Sequence, residues 1–131
     1  MGQGIAYEEM VGRWLTALHN RRVIHGQWFT YSHGRGHANV CQPDFIILPT
    51  RRKFPHLLVI EVKLVGHRSA AEKLLDLYLP VVARALNATP RGVIICRRLG
   101  DWRGYGIQLT PLFDLQDVYS LPEGKIGTLT W

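Results

Sequence analysis

Cysteine is scarce in this chain: there are two, Cys41 and Cys96, far apart and each flanked by strand-like sequence. That excludes a disulfide scaffold and reads as two buried thiols in a reducing compartment. No apolar run approaches the ~20 residues of a bilayer-spanning helix, and the N-terminus lacks the charged-then-apolar layout of a signal peptide. Low-complexity tracts, repeats and long linkers are missing too. The expectation is one domain over residues 1–131, large enough to bury a core without staples. It should be intracellular, cytoplasmic or nucleoid-associated, and neither secreted nor in a membrane. Negative charge is also in short supply, since 10 acids against 16 bases leave a net charge of +6. The balance favours a polyanionic partner, nucleic acid first, although many proteins are basic only for solubility.

What is present centres on residues 42–64. Two apolar, β-branched-rich runs, Gln42 to Pro49 and Leu57 to Leu64, flank the basic turn Thr50 to His56, as two neighbouring strands with a short polar connection should. The second run is almost uninterrupted, like a strand covered on both faces, so Glu61 and Lys63 stand out in it. A period of two puts Glu61 and Lys63 on one face, with Val62 on the other. A short hairpin lays Asp44 beside Glu61. Two close carboxylates repel unless a cation lies between them, and hard oxygen donors suit magnesium or manganese. The bland alternative is two strand-end acids paired with Lys63 on a wet surface.

Pro43-Asp44, followed after sixteen residues by Glu61-Val62-Lys63 at the end of an apolar strand, resembles the motif of the PD-(D/E)XK nuclease superfamily. The resemblance covers residues 5–99 and is closest in layout to the branch that resolves Holliday junctions. It implies an α/β fold with a mixed central sheet flanked by helices, in the restriction-endonuclease-like order αβββαβ. It implies a Mg-dependent endonuclease acting on DNA, with Asp44, Glu61 and the Val62 carbonyl on the metal and Lys63 orienting water or offsetting charge. Family members often add an acid from the first helix, and a homodimer is common among junction-resolving relatives. Of the two acids available, Glu8 falls on the apolar stripe, whereas Glu9 shares its face with Gly12, Arg13, Thr16 and Asn20. Glu8 is therefore expected to join the catalytic and metal site. At the frayed first turn of its helix, Glu8 equally suits the helix dipole and need not meet the metal.

The remaining elements fit that order. Ile5, Val11, Leu15 and Leu18, with Tyr7 and Trp14 at the flank, predict a helix over 5–20. Val23 to Tyr31 reads as a strand bent or bulged at Gly26. Ser69 and Glu72 form a capping-box signature for a second helix that buries Leu74, Leu75, Tyr78, Val81, Val82, Ala85 and Leu86, kinks at Pro80 and ends at Asn87 to Pro90. The exonuclease branch of the superfamily has a glutamine one turn before the tyrosine, where this chain has Leu74. Gly92 to Leu99 reads as a buried strand. Beyond Gly100, aromatics and alternation suggest strands that join the sheet edge or pack on a partner.

Candidate nucleic-acid contacts are His33, Arg35 and His37 in the glycine-rich loop, Arg51, Arg52 and Lys53 in the basic turn, and Arg68 and Lys73 after the Glu-x-Lys strand. His33, His37 and Cys41 also suggest zinc, but a fourth ligand at a matching spacing is missing, and Gly34 and Gly36 resist the helix that such a histidine pair needs. Two rival functions remain on the same fold: a non-catalytic nucleic-acid-binding module, and a structural or regulatory subunit whose acids are merely paired.

Overall fold

The computed structural model describes residues 2–32, 38–51, 55–66, 68–99, 120–121, 124–125 and 127–130. The fold is mixed α/β. Its first helix, α1 (Gly2–His19), runs into a single 3-10 turn at Asn20–Arg22. Asn20 takes a left-handed conformation there (φ 53°), which its short amide tolerates better than most side chains. Then come β1 (Val23–His25), β2 (Phe29–Ser32), β3 (Ala38–Cys41), β4 (Phe45–Ile47) and β5 (Leu58–Gly66). A second helical stretch follows as α2 (Arg68–Lys73), a π-helical turn (Leu74–Tyr78) and α3 (Leu79–Leu86). β6 (Arg91–Leu99), β7 (Ser120–Leu121), β8 (Gly124–Lys125) and β9 (Gly127–Thr130) complete the elements.

Five strands form one sheet in the order β1-β4-β5-β6-β9. β5 and β6 are parallel, and the other three pairings are antiparallel. The helical stretch between β5 and β6 is the long crossover that parallel neighbours need. β2 and β3 leave the sheet as a separate antiparallel pair, so the strand expected over Val23 to Tyr31 is two strands in two sheets. The change of sheet occurs at Gly26, whose φ of +69° disfavours other residues. The C-terminal β9 joins the sheet edge beside β6. Residues 100–119, where further strands are expected, lie outside the described residues. No described helix is long and apolar enough to cross a membrane.

Alternation along the strands sends side chains to two cores. Phe45, Ile47, Ile60, Val62, Val93 and Ile95 meet Tyr7, Val11 and Leu15 of α1. Ile46, Val59, Ile94 and Cys96 meet Leu74, Tyr78 and Val82 of the second helical stretch, together with Phe29 and Cys41. Each buried aliphatic side chain contributes roughly 1.5–3 kcal/mol relative to exposure. The α1 stripe is therefore Tyr7, Val11 and Leu15 at i, i+4 and i+8. Ile5 and Leu18, expected in it, are exposed near the two ends of the helix.

In the second helical stretch Ala70, Ala71, Leu74, Tyr78 and Val82 are buried, whereas Leu75, Ala85 and Leu86 are exposed. Pro80 explains part of that phase. A proline has no N–H to donate and its ring crowds the carbonyl four residues back. Here the turn before it widens to π geometry, with the Leu79 N–H bonded to the Leu74 carbonyl. The expected kink is thus taken up as one wide turn. The helix begins at Arg68, so Ser69 lies inside the first turn rather than at its cap. Asn87, left-handed at φ 47°, ends it.

Gly92 of β6 lies against this helix: a Cβ there would stand 2.8 Å from Leu74 Cδ2 and 3.2 Å from Leu79 Cδ1. Gly92→Ala should therefore destabilise by about 1–3 kcal/mol through overpacking. Gly4→Ala, with no atom within 4 Å of the new methyl, should be neutral or stabilising by at most about 1 kcal/mol. Urea denaturation of the two variants checks this, and equal stabilities would contradict it.

Candidate functional site

The site lies where β4 gives out against the middle of β5. Phe45 pairs with Ile60, so β4 stops one residue short of Glu61. The next β5 donor on that side is the Val62 N–H, and the Asp44 side chain accepts it through Oδ2 at 2.7 Å. Reciprocally, the Asp44 N–H donates to Glu61 Oε1 at 3.1 Å. Each carboxylate thus caps backbone on the other's strand. Asp44 is half-buried, and Glu61 is only 3 % exposed among aliphatic neighbours.

Burial drives the electrostatics. Desolvation and the neighbouring Asp44 charge raise the Glu61 carboxyl to about 7, against the smaller lowering effects of the Asp44 N–H, Lys63 and Lys73. Asp44 rises to about 6, chiefly through burial and through Glu8, whose carboxyl also shares a hydrogen bond with it; the Val62 N–H and Lys63 pull the other way. Asp44 and Glu61 therefore meet in a place that resists full ionisation, with Glu8 beside Asp44. Glu8 also meets the exposed His25, with Nε2 3.5 Å from Oε1, while Glu9 is exposed.

Of the expected residues, the structure brings together Glu8, Asp44, Glu61 and Val62, with Lys63 half-buried on the same strand. Lys73, expected at nucleic acid, lies within electrostatic reach of Glu61 and Asp44, its ammonium 5.1 Å from the centroid of the buried Tyr78 ring. Arg51 is exposed. His33, Arg35, His37, Arg52, Lys53 and the Arg68 side chain lie outside the described residues. So do two of the three zinc candidates, while Cys41 is buried.

His25 escaped the sequence reading. A lone histidine in a short strand carries no periodic signal, and only its register opposite Phe45 brings it to the acids. Its ring stacks on Phe45, with centroids 4.6 Å apart and planes inclined by 17°.

Comparison of the chain with protein-family models, with curated proteins and with solved structures gives no match in any of the three.

Among the described residues, no three His, Cys, Asp or Glu side chains converge as a ready metal cage. The donors nevertheless fit a hard cation. Asp44 and Glu61 offer oxygen donors whose carboxyls are raised toward neutrality, chiefly by burial, and a divalent ion could take the place of their protons. Magnesium needs only one or two protein carboxylates, because it keeps much of its water.

The raised pKa values set a sign for stability. Between about pH 4, where unfolded carboxyls titrate, and the folded values near 6 and 7, the folded chain holds protons that the unfolded chain has lost. Their contribution is full below that window and is lost as pH rises through 6 to 7. His19, held low by burial and Arg22, works in the opposite sense, so the informative quantity is a difference between variants. Asp44→Asn keeps an acceptor for the Val62 N–H and removes a like charge. In chelator it should be more stable than wild type at pH 8, by on the order of 1 kcal/mol, with the advantage shrinking at pH 5. Thermal melts at the two pH values test this, and an advantage that grows on acidification would contradict it.

Proposed function

We propose that the protein is a metal-dependent endonuclease that hydrolyses phosphodiester bonds in DNA on a PD-(D/E)XK core, with the order αβββαβ supplied by α1, β1, β4, β5, the second helical stretch and β6. One observation carries this reading: the reciprocal pair of hydrogen bonds that ties Asp44 to Glu61 and Val62, joining the two halves of the motif. In the proposed site Asp44, Glu61 and the Val62 carbonyl would hold magnesium, or manganese in its place. Bound there, the ion supplies polarisation of the phosphate and a lower pKa for the attacking water.

The chain's own groups do the rest. Lys63 orients the water or offsets charge developing on the phosphate. Glu8, beside Asp44, extends the acidic site toward α1. Lys73 adds positive potential on the second-helix side. The net charge of +6 draws a polyanion toward the acids.

A second reading is a nucleic-acid-binding module that keeps the fold without catalysis, which the net charge of +6 suits equally. Nicking of supercoiled plasmid separates the two. Under the nuclease reading, cleavage requires magnesium or manganese, and Asp44→Asn, Glu61→Gln and Lys63→Ala each slow it by on the order of 100-fold or more while DNA binding persists. Glu8→Gln slows it strongly and Glu9→Gln little. Wild-type protein that binds DNA and cuts none of it with either metal would establish the binding module instead.

A further inference from the structure

The bend between β1 and β2 is fixed to the candidate site and carries two exposed rings. The Gly26 N–H donates to the Asp44 carbonyl at 3.1 Å, and Gln42 Nε2 donates to the Gly26 carbonyl at 2.8 Å. The residues on either side of this clamp display their rings to solvent: the His25 side chain is 61 % exposed and Trp28 is 58 % exposed. Tryptophan is highly buried on average, so one displayed on backbone bonded to Asp44 needs a reason. Val40 of β3, opposite Thr30 of β2, is exposed as well and adds apolar surface to this pair of strands.

We propose that this bend is a stacking platform for an unpaired nucleobase, so that the preferred substrate is a strand with unpaired bases beside the scissile phosphate. The proposal rests on the nuclease reading above. A base inside a duplex keeps its faces stacked on its neighbours, whereas an unpaired base offers its face to an aromatic ring. Continuity with the acids, which would hold the ion beside a scissile phosphate, favours nucleic acid over an apolar partner. On the α1 side of His25, an open groove of about 520 Å³ is lined by Arg13, Thr16, His25 and Phe45 among others. Arg13 and Thr16 there offer a phosphate one cation and one hydroxyl. Glu9, on the same groove, is four residues before Arg13, at i+4 helix spacing.

The test is fluorescence anisotropy in chelator with a labelled blunt duplex and with the same duplex bearing a single-stranded flap, using wild type, Trp28→Ala and Trp28→Phe. Trp28→Ala should weaken flap binding by about tenfold and duplex binding by no more than about twofold, and Trp28→Phe should restore most of the loss. Equal losses on both substrates, or no loss on either, overturn the platform. So does a loss accompanied by a fall in sedimenting mass, because Trp28 would then cover a second copy of the chain. If wild type binds and cuts DNA while Trp28→Ala matches it throughout, only the platform falls. If wild type binds neither substrate, the nuclease reading falls and the platform with it.

Discussion

Two hydrogen bonds crossing between the residue before β4 and the middle of β5 set the geometry on which everything else here depends. They close the sheet where β4 ends and bring two carboxylates into a desolvated place. A buried donor such as the Val62 N–H needs a partner, and a neutral Asn or Ser could supply one. Using a charged aspartate beside a charged glutamate instead adds repulsion that the fold alone does not require. Such a conflict between local chemistry and stability is what functional sites show.

The surrounding structure holds this conflict in place. β5 is covered on one face by α1 and on the other by the second helical stretch, so Glu61 cannot turn out to water without breaking strand alternation. Phe45 is packed beneath α1 and carries the His25 ring, which ties the bend at Gly26 to the same corner. Lys63 and Lys73 provide positive charge near the pair but leave both carboxyl pKa values raised. The unmet charge is what a divalent ion would neutralise.

Much of this corner was legible in the sequence because strand periodicity and the adjacency of two apolar runs point to an antiparallel pair. Residues 45–47 and 58–60 pair as two adjacent apolar runs should, which lays Asp44 beside Glu61, although the connection from Ile47 to Leu58 is longer than the short hairpin expected. The two sheet faces were legible for the same reason. The α1 stripe was harder: Tyr7, placed at its flank, is central, and Ile5 and Leu18 fit the period but lie near the helix ends. The π turn before Pro80 was not legible, since a proline signals a disturbed hydrogen bond without saying how the backbone absorbs it. The departure of β2 and β3 from the main sheet was hidden likewise. Gly26 announces a bend, but nothing local says which sheet the next strand joins. His25 and Lys73 reach the acids only through tertiary placement.

The central claim is that Asp44 and Glu61 form one divalent-cation site. Calorimetric titration of manganese into the chain at pH 7.5 tests it most directly, alongside circular dichroism to show that each variant remains folded. The account predicts saturable binding of defined stoichiometry by wild type and its loss in both Asp44→Asn and Glu61→Gln with the fold intact. Absence of saturable binding to wild type, or binding unchanged in both variants, would contradict it.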